Sequence, residues 1–188
     1  MRMLSILRKR HLHTIVSTQI IKPSSPTPPH LKTYNLSVYD QIIPSTFTPM
    51  LLFYPNTGIC YDFHDQMLDL KNSLSHTLTK YYPFAGRHAK SAPTFVDCND
   101  HGTDFIEAYT DSTLLKFFQN TQNEDLDNLF PYDRTWNYSN RTGHDLQSDN
   151  VIPLAIKVTR FQCNGLAVAV SLSHKIADAY SLIRFITD

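Results

Sequence analysis

A β-hairpin signal near the C-terminal end of the sequence sets the strongest limit on the fold. Asn164-Gly165 separates two runs rich in β-branched and apolar residues, 151–162 and 166–174. Both turn residues tolerate positive φ angles, so the two runs are predicted to pair as antiparallel strands. The second strand then delivers its C-terminal end at His174.

The second predicted strand has two different faces, because bulky residues alternate with small ones along it. One face is suited to a core, and the other permits close approach of a neighbour. Helical spacing follows, so His174 is predicted at a strand-to-helix corner, a common position for functional side chains. The bulky residues are Leu166, Val168, Val170 and Leu172, and the apolar residues of the helix are Ile176, Ala179, Tyr180 and Ile183.

Upstream of the hairpin, a helical period over residues 65–82 predicts an amphipathic helix packed on a core. Pro83 stops this helix, and Gly86 permits a sharp turn after it. The rest of the sequence predicts a mixed α/β fold of shorter elements. These are strands at 14–22 and 48–55, two strands within 94–110, a short helix at 112–120 capped by Ser112, and loops at 23–29 and 121–150.

Composition excludes several kinds of partner. Lysine plus arginine and aspartate plus glutamate both number 17, so no overall positive charge draws the chain to nucleic acid. No apolar run approaches the roughly 20 residues that span a bilayer, and no membrane partner is expected. With 41% hydrophobic and 18% charged residues, the chain is predicted to be globular.

The N-terminal segment and the cysteines bear on localisation. Residues 1–13 are basic and contain no acidic residue, which indicates either a disordered leader or an organellar transit peptide. Cys60, Cys98 and Cys163 are far apart and form no Cys-x-x-Cys motif, so neither a disulfide framework nor a zinc site is expected. A reducing compartment follows, and the cytoplasm is the predicted location, with an organelle as the alternative.

His174 and Asp178 form the sequence His-x-x-x-Asp, which by itself decides nothing about function. A neutral imidazole can take a proton from a hydroxyl or amine near neutral pH, but a structural histidine at the same corner explains the pattern equally well. A Ser-His-Asp hydrolase lacks its Gly-x-Ser-x-Gly elbow here. A metal site would need ligands beyond His174 and Asp178, and the five glycines form no phosphate-binding loop.

Five segments taken together resemble the N-terminal half of the plant BAHD acyltransferases. They are "IIKPSSPTP", "LKTYNLSVYDQ", "SLSHTLTKYYPFAGRH", "VDCNDHGTDFIEA" and "LAVAVSLSHKIADAYSL", and their order and separations also match. The resemblance covers residues 14–188 and is most similar in detail to members that O-acetylate alkaloids. It identifies residues 14–188 as an N-terminal acyltransferase domain.

The resemblance implies a chloramphenicol acetyltransferase-like α/β fold with a channel between two domains. Acyl-CoA, here acetyl-CoA, is expected as co-substrate rather than bound cofactor, and a small-molecule alcohol or amine as acceptor. His174 matches the family base. Asp178 matches a carboxylate that supports the loop through an arginine, while Pro83, Gly86 and Arg87 match a scaffold segment.

The sequence also departs from the family. The second signature, Asp-Phe-Gly-Trp-Gly, is absent, and the sole tryptophan, Trp136, is followed by asparagine. The sequence therefore looks like an N-terminal half whose C-terminal domain is absent. Two hypotheses remain open: acyl transfer completed by a second half, or a catalytically inactive remnant that acts as an interaction module. Full-length members are usually monomeric, whereas this fragment is expected to self-associate.

Overall fold

The computed structural model describes residues 13–44, 46–58, 62–91, 93–120, 126–131 and 150–188 of the 188-residue chain. Its strands are β1 (His13–Ile21), β2 (Thr33–Asn35), β3 (Phe47–Tyr54), β4 (Arg87–Ala89), β5 (Phe95–Asp97), β6 (Thr103–Thr110), β7 (Asn150–Val151), β8 (Leu154–Phe161) and β9 (Leu166–Ser173). Its helices are α1 (Val38–Ile42), α2 (Phe63–Lys80), α3 (Leu114–Asn120) and α4 (Ala179–Thr187).

The strands form two sheets. A five-stranded sheet has the order β1-β6-β8-β9-β3, and a four-stranded sheet has the order β2-β5-β4-β7. Strands β6 and β8 run parallel, while the other neighbours in both sheets run antiparallel. The mixed sheet and the helices beside it confirm the predicted α/β class.

The predicted hairpin is confirmed as β8 and β9, which pair antiparallel from Leu154 opposite Leu172 to Arg160 opposite Leu166. Its turn differs from the expectation that both Asn164 and Gly165 use positive φ. Only Asn164 does so, with φ of 61°, and the Phe161 amide donates to the Gly165 carbonyl across the turn at 2.9 Å. A Cβ at Gly165 would meet the end of the Leu114 side chain, which would have to shift to admit it.

The two faces of β9 pack as the alternation predicts. Val170 and Leu172 face the main core, which also contains residues of α2 and α4. On the opposite face, Ala167 packs with Phe117 and Phe161 in a second cluster. The hairpin is thus covered on both sides, and burial of both faces fixes its register.

Helix α2 begins at Phe63 and ends at Lys80, two residues earlier at each end than predicted. The start is set by Asp62, whose carboxylate accepts from the His64 amide at 2.7 Å. Pro83 lies in a short 3-10 turn directly after α2, which confirms that the helix stops before it.

The remaining predictions hold with local corrections. Strands β1 and β3 begin and end one residue earlier than expected, and β5 and β6 occupy the two places predicted within residues 94–110. The cap of α3 is Thr113 rather than Ser112, since the Lys116 amide donates to the Thr113 hydroxyl at 3.3 Å. The predicted leader lies outside the described residues except for His13, which begins β1, and most of the predicted loop at 121–150 also lies outside them.

Helix α4 buries a face other than the one that its predicted apolar residues share. Leu182 and Phe185 are buried in the core, whereas Tyr180 and Ile183 are 70% and 51% exposed. Among the described residues, no helix is long and apolar enough to span a membrane.

Candidate active site

The backbone at His174 is held from two sides. Ser173 is the last residue of β9, and its amide donates to the Pro153 carbonyl at 2.7 Å. The His174 amide donates to the Thr46 carbonyl at 2.9 Å, just before β3 begins. His174 therefore follows the C-terminal end of β9 with its backbone held in place, as the predicted strand-to-helix corner requires.

The His174 ring is half-buried, and it makes no side-chain hydrogen bond to the described residues. Its Nδ1 is buried without a hydrogen-bond partner among the residues that the structure describes. A neutral imidazole has one donor nitrogen and one acceptor nitrogen, and because Nδ1 is buried, Nε2 is the ring nitrogen left for a ligand. This arrangement differs from a Ser-His-Asp triad, in which an aspartate holds the ring.

The Asp178 side chain stabilises the first turn of α4. It is the N-cap of α4, and its Oδ1 accepts from the Ser181 amide at 2.8 Å. The hydrogen bonds from the Ser181 backbone and side chain hold the pKa of Asp178 below its ordinary value, with a smaller effect from the charge of His174. Within the described part of the chain, no arginine pairs with Asp178.

Lys175 ties the loop after β9 to α1. It is 4% exposed, and its Nζ donates to the Gln41 carbonyl at 2.7 Å. The side-chain amide of Gln41 in turn donates from Nε2 to the Leu36 carbonyl at 3.0 Å. Helix α1 therefore stands beside His174, a placement that the sequence did not predict because a lysine is usually exposed.

The segment predicted as scaffold is fully bonded within the fold. Arg87 Nη1 donates to the carbonyls of Gly86 and Gly102 at 2.7 and 2.8 Å. A Cβ on Gly86 would lie 2.5 Å from the Asp97 carbonyl oxygen, so only glycine fits beside β5. The bond from Arg87 to Gly102 joins β4 of the smaller sheet to the residue before β6 of the larger sheet.

Other candidate chemistry is not assembled. Ser173 is fully buried, and its hydroxyl lies 3.0 Å from His88 Nε2 rather than on His174, so it has no place as a nucleophile. The described residues contain no group of three metal-ligating side chains, and the pairs His64 with Asp65 and His101 with Asp104 hold no shared site.

A separate apolar groove lies on the helix-covered face of the larger sheet. Its volume is about 480 Å³. It is lined by strand residues such as Leu52 and Val168, by Leu74 of α2 and by Phe185 of α4, with no lining residue from 173–178. This groove and the candidate base are thus in different places.

Comparison with known proteins identifies the class of the fold. The family model described as the Transferase family matches residues 12–188, and the chain belongs to this family, the BAHD acyltransferases. The chain resembles the crystal structure of vinorine synthase with a TM-score of 0.80 and 39% identity, over 93% of this chain and 41% of that one. This match confirms the predicted acyltransferase fold.

Two plant enzymes illustrate the relationship in sequence. Stemmadenine O-acetyltransferase of Catharanthus roseus is 42% identical over 92% of this chain and 39% of its own length. Vinorine synthase of Rauvolfia serpentina is 40% identical over 91% of this chain and 39% of its own length. The chain therefore spans about two fifths of the relatives that it matches.

A more distant structure shares the fold alone. TRI101 of F. sporotrichioides, solved with coenzyme A and T-2, matches with a TM-score of 0.61 at 15% identity, over 82% of this chain and 37% of that one.

Proposed function

We propose that this chain is the N-terminal half of an acyl-CoA-dependent acyltransferase in which His174 is the general base. The His174 ring at the end of β9 carries the proposal, because no described residue forms a hydrogen bond with it. Its Nδ1 is buried out of reach of an acceptor, so Nε2 is the nitrogen left to take a proton. A base needs a nitrogen that the fold has not already used. The names of the relatives, which include O-acetyltransferases, support acetyl transfer to a hydroxyl.

In the proposed reaction, unprotonated His174 Nε2 takes the proton of the acceptor hydroxyl or amine. The acceptor atom attacks the thioester carbonyl of acyl-CoA and forms a tetrahedral intermediate. The intermediate collapses, the carbon–sulfur bond breaks, and the coenzyme A thiolate takes the proton from the imidazolium. No acyl-enzyme forms, and coenzyme A leaves as a product, so it is a co-substrate rather than a resident cofactor.

Asp178 contributes support rather than proton transfer in this proposal. Its carboxylate caps α4 through the Ser181 amide at 2.8 Å, which fixes where the loop after His174 ends. We propose that an arginine from the second half completes this support. The carboxylate is exposed, and it remains available for such a partner.

The acceptor is proposed only as a class. The relatives are named for alkaloid-type and limonoid acetylation and for acylsugar synthesis, three chemically different products. What they share is acylation of a specialised metabolite. We therefore propose a plant specialised metabolite with a free hydroxyl, an alkaloid alcohol being favoured by stemmadenine O-acetyltransferase.

The exposed surface beside the loop supports a second half. Val38, Tyr39 and Ile42 of α1 are 74%, 79% and 73% exposed, and Tyr180 and Ile183 of α4 are also exposed. Apolar groups on both elements that flank His174 are expected where another domain packs. The same surface supports the second candidate, a catalytically inactive interaction module that binds a full-length relative.

We propose the cytoplasm as the location. Cys98 and Cys163 are free thiols. Burial raises the pKa of the Cys98 thiol to about 11, so it stays protonated and unreactive.

Complementation tests the proposal. Residues 1–188 are purified alone and together with the C-terminal half of vinorine synthase, and transfer from labelled acetyl-CoA to a panel of alcohols is measured. We expect the chain alone to associate and to be inactive, because half a channel cannot orient acceptor and thioester together. The pair is expected to be more soluble and to transfer acetyl groups.

Two results would refute parts of this proposal. A monomeric, active chain on its own would show that no second half is needed. A well-folded pair that binds acetyl-CoA without turnover would favour the interaction module. His101→Ala, a change in an exposed loop, controls for effects of losing any histidine.

A further inference from the structure

A second histidine lies behind the candidate base. His88 of β4 is 2% exposed, and its backbone pairs with Val96 of β5 and Val151 of β7. The side chain points to the end of β9, where Nε2 lies 3.0 Å from the Ser173 hydroxyl oxygen. This contact joins the smaller sheet to the residue that immediately precedes His174.

The chemistry of the His88 ring fixes the direction of this bond. Nδ1 lies 2.8 Å from the Ala89 carbonyl oxygen, which can only accept a hydrogen bond. In the neutral ring, Nδ1 therefore carries the proton and Nε2 carries the lone pair. The Ser173 hydroxyl then donates to Nε2. Ser173 is fully buried, so losing the acceptor would leave its hydroxyl without that bond and away from water.

Residues 173 and 174 are held by backbone contacts, which include the pairing of Ser173 with Phe47 of β3 and a hydrogen bond from the Ile176 amide to the Ser173 carbonyl at 3.1 Å, and by one side-chain bond. The two backbone amides donate to the Pro153 and Thr46 carbonyls at 2.7 and 2.9 Å, and the Ser173 side chain bonds to His88. The backbone contacts are insensitive to side-chain type. The side-chain bond depends on the residue at position 88.

We propose that His88 is a positioning residue for His174. It holds Ser173 at the end of β9 and so fixes where the following residue leaves the sheet. His88 is buried behind this bond and touches no reacting group in the proposal. The proposal rests on the proposed function only where it concerns turnover, because the positioning itself is a property of the fold.

Amide hydrogen exchange tests the positioning on residues 1–188 without any acyl transfer. His88→Leu should speed exchange of the His174 amide about five- to tenfold, because the strand end loses one of its anchors. His88→Gln should restore most of the protection, since its amide oxygen offers an acceptor at about the reach of Nε2. His101→Leu is the matched control in an exposed loop and should change nothing at His174.

Ser173→Ala guards against unfolding of the His88 variants, because it removes the donor and leaves the ring in place. It should also speed exchange locally at residues 173–174 while β8 stays protected. Unchanged exchange in both His88→Leu and Ser173→Ala would overturn the proposal. Equal acceleration in His88→Leu and His88→Gln would overturn it as well, because the acceptor at Nε2 would then be irrelevant.

Turnover in the complemented enzyme gives an independent readout. His88→Leu should lower kcat about tenfold and leave KM for acetyl-CoA within about twofold, as expected for a displaced base. Adding Ser173→Ala to it should lower kcat no further. Parent-like kcat in His88→Leu would refute the positioning role, whereas parent-like activity in His174→Ala would refute the proposed function and leave the exchange result standing.

Discussion

Two segments carry the motifs of this chain, and they use their polar groups in opposite ways. In the segment around Gly86 and Arg87, the guanidinium donates to two carbonyls. The Gly86 backbone lies too close to Asp97 for a Cβ to fit. In the loop of residues 174–178, the His174 ring keeps its Nδ1 without a partner among the described residues. The first segment uses its polar side chain to hold the fold together, whereas the second contains an imidazole ring with no hydrogen bond to the described residues.

The two motifs are equally prominent in the sequence, and this difference indicates which has a structural role and which has a catalytic one. Buried polar groups are nearly always bonded, so the two hydrogen bonds of Arg87 Nη1 are explained by folding alone. A buried nitrogen without a partner costs stability and calls for a second explanation. Thr48, Thr159 and Ser171 also have buried hydroxyls without a partner in the described part of the chain, but His174 alone of these carries a group that takes a proton near neutral pH. Lys175 is part of the scaffold, because its Nζ already donates to Gln41.

The largest expected effect is on turnover at His174. His174→Ala in the complemented enzyme should lower acetyl transfer about 10² to 10⁴-fold, because general-base help is lost. The free energy of unfolding should change by less than about 1 kcal/mol, since the ring makes no hydrogen bond within the described fold. Steady-state rates and thermal unfolding measure the two quantities. Turnover within a few-fold of the parent would reject the assignment of His174 as base.

The scaffold segment should show the reverse pattern. Gly86→Ala places a Cβ 2.5 Å from the Asp97 carbonyl oxygen and 2.9 Å from Val96 Cγ1, so backbone must shift. We expect a loss of about 1–3 kcal/mol in the free energy of unfolding, the usual cost of overpacking. Ala89→Ser, on the exposed end of β4, is the control. Equal thermal midpoints for Gly86→Ala and the parent would contradict the scaffold interpretation.

The sequence predicted the elements whose signals are local. The hairpin of β8 and β9, helix α2 and the corner at His174 all follow from turn chemistry and periodicity within one stretch of chain. The turn itself was only half correct. Gly165 does not use a positive φ, and it lies against the Leu114 side chain, a contact that no local pattern contains.

Contacts between distant residues could not be predicted in the same way. Strands β4 and β7 are three and two residues long, too short for a periodic signal, and they pair with each other and, for β4, with β5. His88 and Ser173 are 85 residues apart, and Lys175 and Gln41 are 134 apart. The buried lysine also contradicts the usual exposure of its type. The sequence therefore predicted that His174 lies at the end of a strand, but it did not predict which residues surround it.

The smallest expected effect is on the stability of helix α4. Asp178 belongs to the same motif as His174, but its role is structural, because its carboxylate caps this helix. Asp178→Ala removes the cap on the Ser181 amide and should cost about 1 kcal/mol of stability, whereas Asp178→Asn keeps an acceptor oxygen and should cost only a few tenths. Chemical denaturation of the three proteins measures this difference. Identical stability of both variants and the parent would show that the cap is not needed.

The same carboxylate predicts a dependence on pH. Its hydrogen bonds to Ser181 lower the folded-state pKa below the ordinary 3.8, so the ionised form is favoured by folding. The stabilisation is complete at pH values well above 3.8 and is lost as the pH falls through the lower folded-state pKa. The stability difference between the parent and Asp178→Ala should therefore shrink on acidification toward pH 3 and stay constant between about pH 6 and 8. A difference that persists unchanged in acid would show that the charge of Asp178 adds nothing to its role as a cap.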